Sequence, residues 1–248
     1  MIDNAIKEFD KFMANYDLNN FDIKFKYNHV FRVKDYAKSI IESITNDEKL
    51  INTVLLAAIL HDIGRFQQFR DYNTYMDYKS FDHGDRGKEI LENNDYISAY
   101  VDDKYLQDVI IHAVKYHNKK DIPLTGDEFK DTVLKVVRDA DKIDILFEQN
   151  NEIKNKNYVM NDNHVNSIFN EEMCDTSFSK EYDDDMFTYL AFIFDINYKK
   201  SFEIIKNKGI IDYKFNILSE YVKDDKLSIM KDKINNYINN KLGDDIKC

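Results

Sequence analysis

Proline is almost missing from this chain. Pro123 is the only one in 248 residues, and there are six glycines. A turn-rich β fold needs such breakers at close spacing, so their scarcity argues against it and favours long helices. Two cysteines, Cys174 and Cys248, are too few and too separate for a disulfide framework, which fits a reducing cytosol. Long hydrophobic runs are absent too, and none approaches the length that spans a bilayer. The start, Met1-Ile2-Asp3-Asn4, lacks the basic-then-apolar order of a signal peptide, so a cytoplasmic protein is expected. Positive charge is in deficit: 35 Lys and Arg face 46 Asp and Glu, for a net charge of −11. That argues against a broad phosphate-tracking surface and hence against long DNA or RNA as a partner. A small anionic substrate stays open, because bound metal ions can reverse a local field.

What is present points to an all-α protein. Hydrophobic residues make up 43% of the chain, enough for a substantial core. Apolar spacing predicts helices over about 3–16, 27–45, Asp47 to Asp62, from Asp82 onward, 102–117 and 128–149. The 27–45 stripe holds Val30, Val33, Ala37, Ile40, Ile41 and Ile44. Gly64 sits where a cap would end the third helix, and 65–81 shows no period and reads as irregular. A loop at 119–127 carries the lone proline. Residues 150–183 are very polar, with loops and short helices expected. Helical patterns return at about 184–207, 212–223 and 226–242. No Gly/Ser or Pro-rich linker sets this last part off. The expected organisation is therefore a single domain, 1–248, with a core at about 25–150 and a helical extension, 151–248, packed on it.

The chemistry concentrates in six positions: His29, the adjacent pair His61-Asp62, His83, His117 and Asp141. The pair closes the apolar run Thr53–Leu60, so both side chains must be satisfied where unpaired burial is costly. The same spacing puts His29, His117 and Asp141 on inward stripes. His117 follows Val114 by three residues, and Asp141 follows Val137 by four, whereas Asp139 points elsewhere. His112 lies five residues before His117, roughly 140° round a helix, so the two face different ways. Each residue alone has an ordinary structural explanation. Imidazoles and carboxylates on several buried stripes call for a common one, and a divalent metal centre supplies it.

His29, His61-Asp62 and Asp141 resemble the H…HD…D pattern of the HD-domain superfamily of metal-dependent phosphohydrolases, over roughly residues 25–150. The continuation His61-Asp62-Ile63-Gly64 fits that pattern. The resemblance implies an all-helical fold and cleavage of phosphomonoesters or phosphodiesters, often of nucleotides. It also implies that His29, His61, Asp62 and Asp141 bind a first metal. The segment Asp82–Leu91 resembles the H…G…IL stretch of multi-metal branches, and Ala113–Asn118 resembles their V…HHE stretch. By that likeness His83 and His117 join Asp62, as the bridge, around a second ion. Two departures stand out. Asn118 replaces the second histidine of the pair. Asp121–Gly126 stands where cyclic di-GMP phosphodiesterases carry glycine-tyrosine-proline. The stretch Leu190–Tyr198 resembles an extension of stand-alone HD proteins from low-GC bacteria.

The implied activity is attack of metal-activated water on the phosphorus of a small phosphorylated metabolite, with a nucleotide favoured. One or two divalent ions, Mn, Fe, Ni, Zn or Mg, are the expected cofactors. Asp62 is the central catalytic group. Arg65 is the leading cation for the phosphoryl oxygens, with Arg138 and Lys142 beside Asp141 as further substrate contacts. His112 can protonate a leaving oxygen. His164 and the run Asp183-Asp184-Asp185 are expected to be solvated, as is Asp244-Asp245, and Tyr72, Tyr75, Tyr78 and Phe81 offer walls for a nucleoside. The alternatives are a phosphodiesterase of cyclic or linear dinucleotides, and a metal-bound nucleotide sensor that does not hydrolyse.

Overall fold

The computed structural model describes residues 2–148, 152–175, 178, 179 and 182–243. Cys248 and Asp244-Asp245 lie outside the described residues. Among the described residues there are helices and no strand, and none of the helices is long and apolar enough to cross a membrane. The chain divides into two compact units, 1–140 and 141–248.

The first unit is built around α3 (Glu48–Leu60). Asp47 caps it by accepting from the amides of Lys49 and Leu50. Every residue from Thr53 to Leu60 is buried, so this helix is apolar all round and belongs at the centre. Around it pack α1 (Ile2–Met13), α2 (Phe21–Ile41) and α6 (Lys104–Tyr116). Phe9 and Phe66 are fully buried and meet edge to face at 5.9 Å, tying α1 to α4 (Ile63–Tyr72). α5 (His83–Glu92) lies between α4 and α6. The long α7 (Glu128–Glu148) crosses from the first unit into the second.

Three sequence expectations change here. α2 begins at Phe21, because the Asn20 side chain accepts from the amides of Asp22 and Ile23 and starts the helix earlier than its apolar stripe suggests. It also ends at Ile41, which leaves Ile44 exposed. The first half of the segment read as irregular is helix α4, and Gly64 lies inside it rather than capping α3. The glycine has a packing reason. A Cβ at Gly64 would stand 2.3 Å from the His83 carbonyl oxygen and 2.9 Å from the Gly87 nitrogen. Gly84 likewise lets α5 approach α6, where a Cβ would meet the Lys115 carbonyl oxygen at 2.6 Å. Side chains at either place would push apart the helices that carry His83 and His117.

The second unit holds α8 (Asp162–Phe169), α9 (Asp184–Ala191), α10 (Lys199–Asn207), α11 (Ile210–Tyr221) and α12 (Lys226–Gly243). Its core includes Phe187, Phe202, Leu218, Met230 and Ile234. The pattern read as one helix over 184–207 breaks at Ile196–Tyr198. Two polar features expected in solvent are buried instead. The ring Nε2 of His164 bonds with Ser179 and Thr188 at 3.1 Å each. Asp183 accepts from the amides of Lys154 and Asn155 at 2.9 and 2.7 Å, and Asp184 accepts from the Tyr158 hydroxyl at 2.7 Å. A loop with no ladder of its own needs such acceptors for its buried amides, and the charge run supplies them.

Candidate metal centre

His61 and Asp62 occupy the turn between α3 and α4. Asp62 stands at the N-cap position of α4 but makes no capping bond with its side chain. The carboxylate turns inward instead and is 2% exposed. Four imidazoles surround it in two pairs. His29 Nε2 and His61 Nε2 lie 3.4 and 3.6 Å from Oδ2, and His83 Nε2 and His117 Nε2 lie 3.4 and 3.5 Å from Oδ1. Within each of the sets His29-His61-Asp62 and Asp62-His83-His117, donor atoms come within 4.8 Å of one another, and all five residues are buried. His29, His61, Asp62, His83 and His117 are thus brought together as the sequence expected.

The tautomers follow from the second ring nitrogens. His61 Nδ1 donates to the Ala58 carbonyl at 2.7 Å, His117 Nδ1 to the Val114 carbonyl at 2.8 Å, and His83 Nδ1 to the Asp77 carboxylate at 2.7 Å. Each of these rings therefore presents an Nε2 lone pair to Asp62. The nitrogens of His83 and His117 face each other at 3.1 Å, and those of His29 and His61 at 3.3 Å. Lone pairs at that separation, around a carboxylate, repel unless a cation or proton joins them. Divalent ions suit such a set of imidazole nitrogens and carboxylate oxygens, so the residues present fit a metal centre.

Electrostatics agree with this. Burial alone would raise the Asp62 carboxyl, but the Lys26 ammonium holds it well below the usual carboxylate range. Burial, helped by the Arg65 charge, pushes His83 down to about 4 against the pull of Asp77 and Asp62, so its ring is neutral at pH 7. Asp77 would likewise be raised by burial, yet the His83 hydrogen bond and the Arg65 charge keep it well below its ordinary value.

Two participants escaped the sequence reading. Lys26, 7% exposed, donates from Nζ to Asp62 Oδ2 at 2.9 Å and sits 5.7 Å from the Tyr75 ring centroid. It precedes His29 by one helical turn, but the helix was started too late to show it. Asp77 belongs to a single 3₁₀ turn (Asp77–Lys79) in the segment without periodicity, and no local signal marks it. It holds His83 and also accepts from Arg65 at 2.7 Å and Gln68 at 2.9 Å.

Arg65 borders the site: Nη1 donates to Asp77, Gln68 and the Tyr75 carbonyl, while Nε lies 3.7 Å from Asp62 Oδ1 and is buried without a hydrogen-bond acceptor. Arg138, expected as a substrate contact, has no exposed surface. Its Nη1 donates to the carbonyls of Tyr116, His117 and Lys119 at 3.0, 2.8 and 2.6 Å, capping the end of α6 that carries His117. Lys142, also buried, pairs with Asp195 at 2.9 Å within the second unit. Asp141 is the first residue of that unit and is buried on the continuous α7, next to Ala140 of the first. Asp139, expected to point away, is fully buried as well. His112 meets the Tyr116 ring at a tilt, with centroids 4.7 Å apart, and the charges around it are Lys130, Asp108, Asp131 and Lys115, none of them at the metal centre. A leaving-group role for it therefore has no geometric support. Asn118, in place of a second histidine, donates to Asp82 at 3.1 Å and so braces the N-cap residue of α5.

The aromatic residues at 72–81 do not share one wall. Tyr75 packs beside Lys26, whereas Tyr72 and Phe81 line a cavity of about 390 Å³ whose lining contains none of the candidate ligands. A family model described as HD domain matches residues 27–146. No curated protein and no solved structure matches the chain.

Proposed function

Residues 27–146 belong to the HD-domain family, a superfamily of metal-dependent phosphohydrolases, and on that premise we propose that this chain hydrolyses a small phosphorylated metabolite, with nucleotides first among the candidates. The observation that carries the proposal is the double-faced Asp62. Each carboxylate oxygen meets its own pair of imidazole nitrogens, as a bridge between two ions requires. In this reading His29, His61, Asp62 and Asp141 would hold one ion, and Asp62, His83 and His117 would hold the other. Divalent ions there would bring the pKa of a bound water from 15.7 toward about 7 and draw charge from a phosphoryl oxygen.

The chain's own residues contribute orientation and charge. Asp77 fixes the tautomer of His83 so that Nε2 faces Asp62. Arg138 holds the turn after α6, and with it the backbone of His117. Arg65 is the proposed cation for the non-bridging phosphoryl oxygens, because its Nε is buried beside Asp62 with an unused proton. Near-complete burial of the four imidazoles limits competing water.

The test is a hydrolysis screen with Mn²⁺ over phosphomonoesters, nucleoside mono-, di- and triphosphates, and cyclic and linear dinucleotides. Turnover of monoesters or nucleotides supports the proposal. Turnover confined to dinucleotides selects the phosphodiesterase alternative. Saturable nucleotide binding by a metal-loaded protein with no turnover selects the sensor.

A further inference from the structure

The two faces of Asp62 are not equivalent. On the Oδ1 face the nearest cation, Arg65, keeps its Nε 3.7 Å from the oxygen and has its charge paired with Asp77 at 2.7 Å, and the same Asp77 carboxylate backs His83, which makes the His83 Nε2 a better donor to a metal ion. On the Oδ2 face, His29 and His61 share the oxygen with the Lys26 ammonium, 2.9 Å away. Beyond that bond Lys26 meets the Tyr75 ring, whose hydroxyl is tied to the Asp22 carbonyl of α2 at 3.0 Å. The ring and the helix thus hold a buried cation against one oxygen of the bridging group.

We propose that Lys26 is a built-in competitor for the metal on the Oδ2 face of Asp62, so that ions load the His83-His117 face first and the His29-His61 face second. This rests on the two-ion reading above. A dication bound to Oδ2 feels the full charge of the ammonium, and one bound at Oδ1 feels it from farther away. Burial makes the opposition stronger than it would be in water. The same ammonium neutralises Asp62 when no ion is bound, so it stabilises the ligand set before loading. One residue then does two things: it keeps four imidazoles and a carboxylate assembled, and it grades the two metal affinities.

The experiment is calorimetric titration of Mn²⁺ into chelator-treated full-length protein, with thermal unfolding of the same samples. Wild type should show two classes of site. Lys26→Met should raise the affinity of the weaker class by about tenfold or more, the effect of one unit charge a few ångströms from a dication even at the dielectric of water. The metal-free variant should melt below wild type, and added Mn²⁺ should raise its melting temperature by more. Lys26→Arg, which keeps the charge, should load in the wild-type order, and it replaces Lys26→Met as the test if the latter does not fold. In that case a tighter weaker site in Lys26→Arg than in wild type would overturn the proposal.

The faces are assigned by background. In His83→Ala, which leaves the Oδ2 face, Lys26→Met should tighten binding strongly. In His29→Ala, which leaves the Oδ1 face, it should do so several-fold less. An equal gain in both backgrounds, no gain, or weaker binding would overturn the proposal. If wild type binds no divalent ion, the metal-centre reading falls with it. If wild type binds two ions and Lys26→Met loads identically, only the role of Lys26 falls.

Discussion

Asp77→Asn tests whether the centre depends on a fixed histidine tautomer. The Asp77 carboxylate can only accept at pH 7, and its 2.7 Å bond obliges His83 to carry its proton on Nδ1. An asparagine amide can also donate. Placed against Nδ1, its NH₂ would favour the opposite tautomer and put the proton on Nε2, the atom facing Asp62 Oδ1 at 3.4 Å. A protonated Nε2 cannot ligate. Loss of such a supporting partner typically lowers metal affinity or activity about 10–100-fold, equivalent to about 1.4–2.8 kcal/mol. Folding should suffer less. Asp77 is partly exposed, and its bonds from Arg65 and Gln68 can be kept by the amide oxygen. The expected result is therefore a folded protein that still binds one ion tightly and the second about 10–100-fold more weakly. Mn²⁺ titration by calorimetry, beside the melting temperature of the chelator-treated protein, reads both quantities. If Asp77→Asn binds two ions with wild-type affinities, the tautomer argument is refuted and His83 is not held as described.

Asp62→Ala should abolish turnover and binding of both ions, as metal analysis of the purified variant would show. It also strands the buried Lys26, so the metal-free variant should lose about 3–5 kcal/mol by denaturant titration. His117→Ala should lose one ion per chain, whereas His112→Ala should retain both, because the two rings leave α6 in different directions. The reverse result in metal stoichiometry would mean the α6 assignment is wrong. Gly64→Ala should destabilise the first unit by about 1–3 kcal/mol or more and weaken metal binding, since its Cβ would press on the His83 carbonyl. In the second unit, burial raises Asp185 to about 6, against an opposing hydrogen bond from Ser179. A raised carboxyl favours the folded state below its unfolded value of 3.8, and that advantage is lost as pH rises through about 6. Asp185→Asn should accordingly gain about 1–2 kcal/mol at pH 7.5, after allowance for partial exposure, and little at pH 4. Chemical denaturation at the two pH values decides it.

Much of this was legible in the sequence because helices write their packing into a 3.6-residue period. The all-helical class, the central position of Thr53–Leu60 and the inward direction of His29, His61 and His117 follow from spacing along single elements, whereas His83 was marked only by the family resemblance. The separation of His112 from His117 follows from spacing too. What escaped depends on contacts between elements. Asn20 capping moved the start of α2 and hid Lys26, and no period marks Asp77, whose role exists only because α5 brings His83 to it. Gly64 read as a cap because sequence shows a missing side chain but not the neighbouring carbonyl that requires it to be missing. Arg138 and the Asp183-Asp184 run read as solvated or substrate-facing charges, since their acceptors and donors are groups far along the chain. Periodicity tells which side of a helix is buried. Which partners satisfy the polar groups on that side is decided only when the helices meet, because an unpaired buried charge is too costly to leave to chance.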